Sequence, residues 1–83
     1  MLLVVEVAET SAAYDREVKV PLYAKAGILE VWLVDLANEC IEVYRQPSSE
    51  GYRQVQRVGH GQRLSPQALP GRDLAVDAIL GEA

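Results

Sequence analysis

The chain has 83 residues, 49% of them apolar and 24% charged, with a formal charge of −4 at pH 7. This length suits one domain with a thin core, and the composition is that of a folded chain rather than a disordered one. Because the chain is net negative, any contact with DNA requires a local basic patch. One cysteine excludes an internal disulfide, and one histidine excludes a histidine-rich metal site. No apolar run could span a bilayer and the start is unlike a signal peptide, which predicts a cytoplasmic protein without a membrane partner.

The hydrophobic pattern predicts the element order β-α-β-β-β. The apolar residues 2–8 indicate a buried first strand. Later strands are predicted at 28–35, 40–45 and 52–58, followed by a short helix or single turn over 74–80. A strand–helix–strand start favours a right-handed crossover between two strands of one sheet, to which the later strands add as an antiparallel meander. The predicted fold is therefore α/β, a mixed sheet with one main helix packed on it.

The main helix is predicted over 12–26. Its apolar residues Tyr14, Val18 and Leu22 recur at helical spacing, which predicts that they form the packed face. Pro21 lies inside this pattern and should kink the helix or delay its start, because proline has no N–H to donate.

Three charged residues near the start of the chain are the main candidates for chemistry. Glu6 lies inside the apolar first strand, where a carboxylate is costly unless it is paired or bound to a cation. The simpler interpretation is that the strand alternates and Glu6 faces solvent or an arginine at an interface. Asp15 and Lys19 lie four residues apart on one helix face, either as a surface ion pair or with Lys19 reaching Glu6. A carboxylate and a lysine are groups that a metal-dependent nuclease uses: the carboxylate binds Mg²⁺, and the lysine orients the attacking water or stabilises the phosphate.

The remaining candidates carry weaker signals. Glu9, at the exit of the first strand, is a candidate second metal ligand, although loop glutamates are usually only solvated. His60 is interpreted as a turn residue, Cys40 as a buried thiol and Trp32 as part of the core. Four arginines form either a phosphate-facing stripe or, as we favour, the solvated face of the sheet. These are Arg45, Arg53, Arg57 and Arg63.

The stretch LLVVEVAETSAAYDREVKVPLYAKAGILEVWLVDL, followed by IEVYR, GYR and LSPQALPG, resembles the Uma-two family of bacterial proteins, also called domain of unknown function 820. Its members are described as putative restriction endonucleases, and the likeness covers nearly the whole chain. The family is similar to the PD-(D/E)XK nuclease superfamily. The resemblance therefore implies a restriction-endonuclease-like fold and hydrolysis of DNA phosphodiester bonds with Mg²⁺ or Mn²⁺.

The resemblance also implies roles for individual residues. Glu6 matches the second acid of the superfamily; the position two residues later is Ala8 rather than lysine, and Lys19 on the helix is the matching lysine. Asp15 matches the family's helix aspartate and would orient Lys19. Family members are longer and carry an aspartate just ahead of the first strand. Residues 1–83 are therefore expected to be a single domain, the C-terminal core portion of such an endonuclease.

Two functions stay open at this point. One is a metal-dependent DNA endonuclease, incomplete without the upstream aspartate, in which Glu6 and Glu9 hold the metal, Lys19 stabilises the scissile phosphate and Asp15 supports Lys19. The other is a catalytically inactive module that self-associates through its exposed first strand into a homo-oligomer.

Overall fold

The fold is built on a four-stranded mixed sheet. A computed structural model describes residues 3–67 and 71–81, so residue 2 of the predicted first strand lies outside the described residues. The strands lie in the order β1-β2-β3-β4, and they are Leu3–Ala8, Glu30–Asp35, Cys40–Ser48 and Gly51–Gly59. β1 pairs with β2 in parallel, and the other neighbours pair antiparallel. The predicted α/β class, with a mixed sheet, is confirmed.

The second half of the chain departs from the predicted boundaries. β3 and β4 extend further than predicted, because Pro47 and Ser48 still pair with Tyr52 and Gly51 before the chain turns. Beyond the main sheet, two short strands pair antiparallel and a helix follows them. These are β5 at Arg63–Leu64, β6 at Leu74–Ala75 and a helix at Val76–Leu80, which we call α3. This second sheet was not predicted, since two-residue strands leave no periodic pattern.

The crossover helix runs through three consecutive segments. They are α1 at Ala12–Tyr14, a π-helical segment at Asp15–Lys19 and α2 at Val20–Lys25. The N–H of Val20 donates to the carbonyl of Asp15, five residues back. This widened turn lies directly before Pro21, which has no N–H and whose ring would clash with the carbonyl four residues earlier in a regular helix. The predicted disturbance at Pro21 is thus a π-helical segment through which the helix continues.

The packed face of this helix differs from the predicted one. Tyr14, Val18 and Leu22 are all exposed, Leu22 at 58%. The buried positions are Asp15, Val20 and Ala24. The apolar pattern failed because the inner face of the helix is partly charged, and those charges meet carboxylates on the sheet.

Hydrophobic clusters cover both faces of the sheet. The cluster under the crossover helix consists of Ala8, Val20, Val31, Leu33 and Tyr44. The cluster on the opposite face consists of Trp32, Val34, Ile41, Val43, Val58, Leu64 and Val76. Trp32 therefore belongs to the core as predicted, and Cys40 is a buried free thiol as predicted. None of the helices in the described part of the chain is long and apolar enough to cross a membrane.

One row of residues across the sheet matters for the site. Glu6 on β1 is in register with Leu33 on β2, Leu33 with Glu42 on β3, and Glu42 with Arg57 on β4. Side chains in register across a sheet point to the same face, which here is the face covered by the crossover helix. The row therefore carries two carboxylates separated by a buried leucine.

Candidate active site

Glu6 lies in the middle of β1, and its carboxylate meets two side chains of the crossover helix. The hydroxyl of Tyr23 donates a hydrogen bond to Oε1, and Nζ of Lys19 lies 3.5 Å from Oε2. The side chain of Glu6 is 21% exposed and that of Lys19 is 43% exposed, so the pair is partly open to solvent. Of the two arrangements predicted for Lys19, a surface ion pair with Asp15 or a contact with Glu6, the structure therefore contains the contact with Glu6 across the helix–strand packing.

Asp15 completes this cluster from the other side of Lys19. Its Oδ1 lies 3.6 Å from Nζ of Lys19, and its Oδ2 accepts a hydrogen bond of 3.4 Å from Oγ of Ser11. The two carboxylates raise the pKa of Lys19, Glu6 contributing more than Asp15. Lys19 is therefore an ammonium at neutral pH, suited to stabilising negative charge rather than to accepting a proton.

Tyr23 is a residue of this cluster that the sequence analysis missed. Asp15, Lys19 and Tyr23 recur every four residues, and this spacing was the signal that could have found it. The hydrogen bond to Glu6 is the main cause that raises the pKa of Tyr23, so its phenol keeps its proton and remains a donor.

Glu9 lies in a different setting from Glu6. It is exposed at the end of β1, where it lines a cavity of about 220 Å³ together with Arg16 and Asp35. Glu6 is not among the residues that line this cavity. Glu9 can therefore share a metal with Glu6 only if the ion lies between the cavity and the cluster around Lys19.

A second charged centre lies on the same face, around Glu42 on β3. Arg16 donates to both carboxylate oxygens, from Nε at 2.9 Å and from Nη2 at 2.6 Å. The hydroxyl of Tyr44 also donates to Glu42, and Nη2 of Arg57 lies 3.3 Å away. The bonds from Arg16 are the main cause that lowers the pKa of Glu42, so this buried carboxylate stays ionised.

Asp35 connects this second centre to the turn after β2. It is fully buried and accepts hydrogen bonds from the N–H of Asn38 at 3.1 Å and from its Nδ2 at 2.9 Å. Its Oδ2 also lies 3.7 Å from Nη2 of Arg16. Arg16 is thus a cation shared by two buried carboxylates. No spacing in the sequence indicates this contact, because Glu42 is 26 residues away.

Asp35, Cys40 and Glu42 place potential metal-ligand atoms within 4.8 Å of one another, judged over residues 3–67 and 71–81. The guanidinium of Arg16 already supplies a cation there, and burial raises the pKa of Cys40, which disfavours the thiolate a metal needs. The hard oxygen donors of Glu6, partly open to solvent, suit Mg²⁺ or Mn²⁺ better.

His60 occupies a turn, as interpreted from the sequence, and also bridges two acids. Its Nδ1 lies 2.7 Å from Oδ1 of Asp77, and its Nε2 lies 3.1 Å from Oε1 of Glu39. These bonds raise the pKa of His60, Asp77 contributing more than Glu39. The bridge joins the β2–β3 turn and the β4–β5 turn to α3.

The arginines of β3 and β4 do not form one stripe. Arg57 shares the helix-covered face with Glu42, whereas Arg45 binds Glu30, with 2.9 Å between Nε and Oε2. Arg45 and Val43 line one small cavity, and Val43 belongs to the core cluster on the opposite face. A continuous phosphate-binding stripe on one face is therefore not formed by these two residues.

The fold and the cluster together define an α/β protein in which a parallel β-α-β crossover places a helix lysine against a carboxylate of the first strand. Residues 1–77 match the Uma2 family, described as putative restriction endonuclease. The chain belongs to this family, which confirms the resemblance seen in the sequence. The family suggests a nuclease-like function and implies a divalent metal, with DNA as the candidate partner. No curated protein matches the chain significantly.

Proposed function

We propose that this chain carries a metal-dependent endonuclease centre that hydrolyses DNA phosphodiester bonds. The observation that supports the proposal is the cluster in which Lys19 lies 3.5 Å from Glu6 and 3.6 Å from Asp15. An acid on a strand, faced by a lysine from the crossover helix, supplies a metal ligand and a group that stabilises negative charge, and metal-assisted phosphodiester hydrolysis can use both.

Each residue of the cluster has a distinct role in this proposal. Glu6 would hold Mg²⁺ or Mn²⁺, with Glu9 as the second ligand, and the ion would supply an activated water and offset phosphate charge. Lys19 remains an ammonium because its pKa is raised, and it would stabilise the charge that develops on the scissile phosphate. Asp15 would hold Lys19 in place from the side opposite Glu6.

The first test is calorimetric titration of the chain with Mn²⁺. Binding should occur in the wild type and should be lost in Glu6→Ala, with a smaller loss in Glu9→Ala. Glu17→Ala is the control, because Glu17 is an exposed glutamate of the crossover helix, which carries Lys19. A wild type that binds no Mn²⁺, or a Glu6→Ala variant that binds it equally well, would contradict the metal role of Glu6.

The second test is cleavage of plasmid DNA in the presence of Mn²⁺. Lys19→Ala should lose about 10²–10³-fold in rate, as is typical when one group that stabilises developing charge is removed. Lys25→Ala is the matched control, since Lys25 is an exposed lysine in the last turn of the same helix. Equal cleavage by the Lys19 and Lys25 variants would remove the role assigned to Lys19.

A second candidate function is an inactive module that self-associates through its sheet. β1 lies at the edge of the four-stranded sheet and exposes Val5 at 49% and Val7 at 61%. Edge strands with exposed apolar side chains are prone to pair with other chains. Under this candidate, sedimentation at micromolar concentration should show a dimer or larger species that Val7→Lys weakens, and a monomeric wild type would exclude it.

A further inference from the structure

We propose that Tyr23 is the positioning residue of Glu6 and that it makes the Glu6 site discriminate against Ca²⁺. This inference rests on the proposed function, because it concerns the same carboxylate. The two oxygens of Glu6 are held differently. Oε1 accepts the hydrogen bond from the Tyr23 hydroxyl, whereas Oε2 faces Lys19 at 3.5 Å, near the outer limit of a hydrogen bond.

The position of the Tyr23 hydroxyl is fixed by packing. The ring is half-buried and lies against the cluster under the crossover helix. That cluster includes Ala8 on the same strand as Glu6 and Val20 on the same helix as Tyr23. Because strand and helix are both anchored there, the phenol is already directed at Oε1 before any cation arrives.

Of the two oxygens of Glu6, Oε2 is thus the less engaged and the better placed to bind a metal. Mg²⁺ is small, takes six ligands in near-octahedral geometry and is commonly held by carboxylates with several waters retained. Ca²⁺ takes six to eight oxygen ligands and often uses both oxygens of one carboxylate. A hydrogen bond from Tyr23 makes Oε1 a weaker metal ligand than Oε2. This disfavours binding through both oxygens, and therefore disfavours Ca²⁺ relative to Mg²⁺ or Mn²⁺.

The test is calorimetric titration of the whole chain with MnCl2 and, separately, with CaCl2. Tyr23→Phe removes only the hydroxyl and keeps the packed ring, so it frees Oε1 without emptying the core. The ratio of the Ca²⁺ dissociation constant to the Mn²⁺ dissociation constant should fall about tenfold, within the range seen when a partner of a metal ligand is removed. Tyr14→Phe is the matched control, because Tyr14 is exposed on the outer side of the same helix, and its ratio should equal that of the wild type.

Each other outcome has a definite meaning. If Mn²⁺ binding depends on Glu6 but the ratio is unchanged in Tyr23→Phe, the selectivity role is overturned and the proposed function stands. If both affinities fall by the same factor, the hydroxyl only supports the structure and the selectivity role is again overturned. If the wild type binds neither ion, the proposed function and this inference both fail.

Discussion

At the scale of single residues, Arg16 is the charged group most directly tied to the stability of the fold. Its guanidinium contacts Glu42 and Asp35, which are both buried, and it joins the crossover helix to β2 and β3. A buried carboxylate that loses its cation is left without the bonds that compensate for its lost hydration.

Arg16→Ala should lower the free energy of unfolding by about 1–3 kcal/mol, since Tyr44 and Arg57 are the partners that Glu42 would keep among the described residues. Urea denaturation followed by circular dichroism measures this change. Arg53→Ala, at an exposed position of β4, should change stability by no more than about 0.5 kcal/mol. An equal effect of the two substitutions would show that the Arg16 contacts carry no net stabilisation.

His60 predicts a pH dependence of stability. Its pKa in the folded chain is raised above its usual 6.5, chiefly by Asp77 and then by Glu39, so the folded state binds the proton more tightly than the unfolded state. The stabilisation is complete below about pH 6.5 and is lost as the pH rises through the raised pKa. Asp77, whose pKa is lowered from 3.8 mainly by His60, contributes above that value and loses its contribution as the pH falls.

The free energy of unfolding of the wild type should therefore decrease as the pH rises above about 6.5, and His60→Gln should remove this decrease. Urea denaturation of both proteins over a pH series measures it. Parallel pH profiles for the two proteins would show that the bridge from His60 to Asp77 and Glu39 does not form in solution.

At the scale of elements, the crossover helix gives the clearest difference between sequence and structure. The pattern of Tyr14, Val18 and Leu22 predicted the packed face, whereas the structure buries Val20 and Ala24.

Val20→Ala should therefore destabilise the chain by about 2 kcal/mol, through the loss of buried methyl groups and the cavity they leave. Leu22→Ala removes more carbon from the same helix but from an exposed side chain, so its effect should stay within about 0.5 kcal/mol. Thermal or urea denaturation of the two variants measures both effects. If the Leu22 variant loses more free energy of unfolding than the Val20 variant, the packed face would be the one predicted from the apolar periodicity.

The sequence was informative where the physics is local. The order of the four main strands and the crossover helix followed from runs of β-branched residues and from the helical spacing between them, and the structure has this order. The packed face that the same spacing predicted was wrong, and β5 and β6 left no pattern to predict them. Asp15 and Lys19 could be paired because their spacing places them on one helix face, and the crossover brings that face toward the strand of Glu6. Glu42 could not be assigned, because its partner Arg16 is identified only once the strand order and the helix position are known.

At the scale of the whole molecule, the described part is a thin slab of 36 × 31 × 17 Å. The crossover helix covers one face of the sheet, and the short elements β5, β6 and α3 pack on the other face. The short elements on that face do not cover Val5 and Val7 of β1, which are exposed. In a slab of this thickness, Glu6 and Lys19 remain partly exposed to solvent although they lie between the helix and the sheet.

Because Leu33 is fully buried between Glu6 and Glu42, we expect the two charged centres to contribute independently to stability. Two strand spacings separate the carboxylate-bearing strands by about 9.6 Å, a separation at which effects on stability usually add. A double-mutant cycle with Glu6→Gln and Glu42→Gln should accordingly give a coupling energy below about 0.5 kcal/mol, and a larger value would contradict this independence. One centre can then change by mutation while the other is preserved, so loss of Glu6 need not cost the chain its fold.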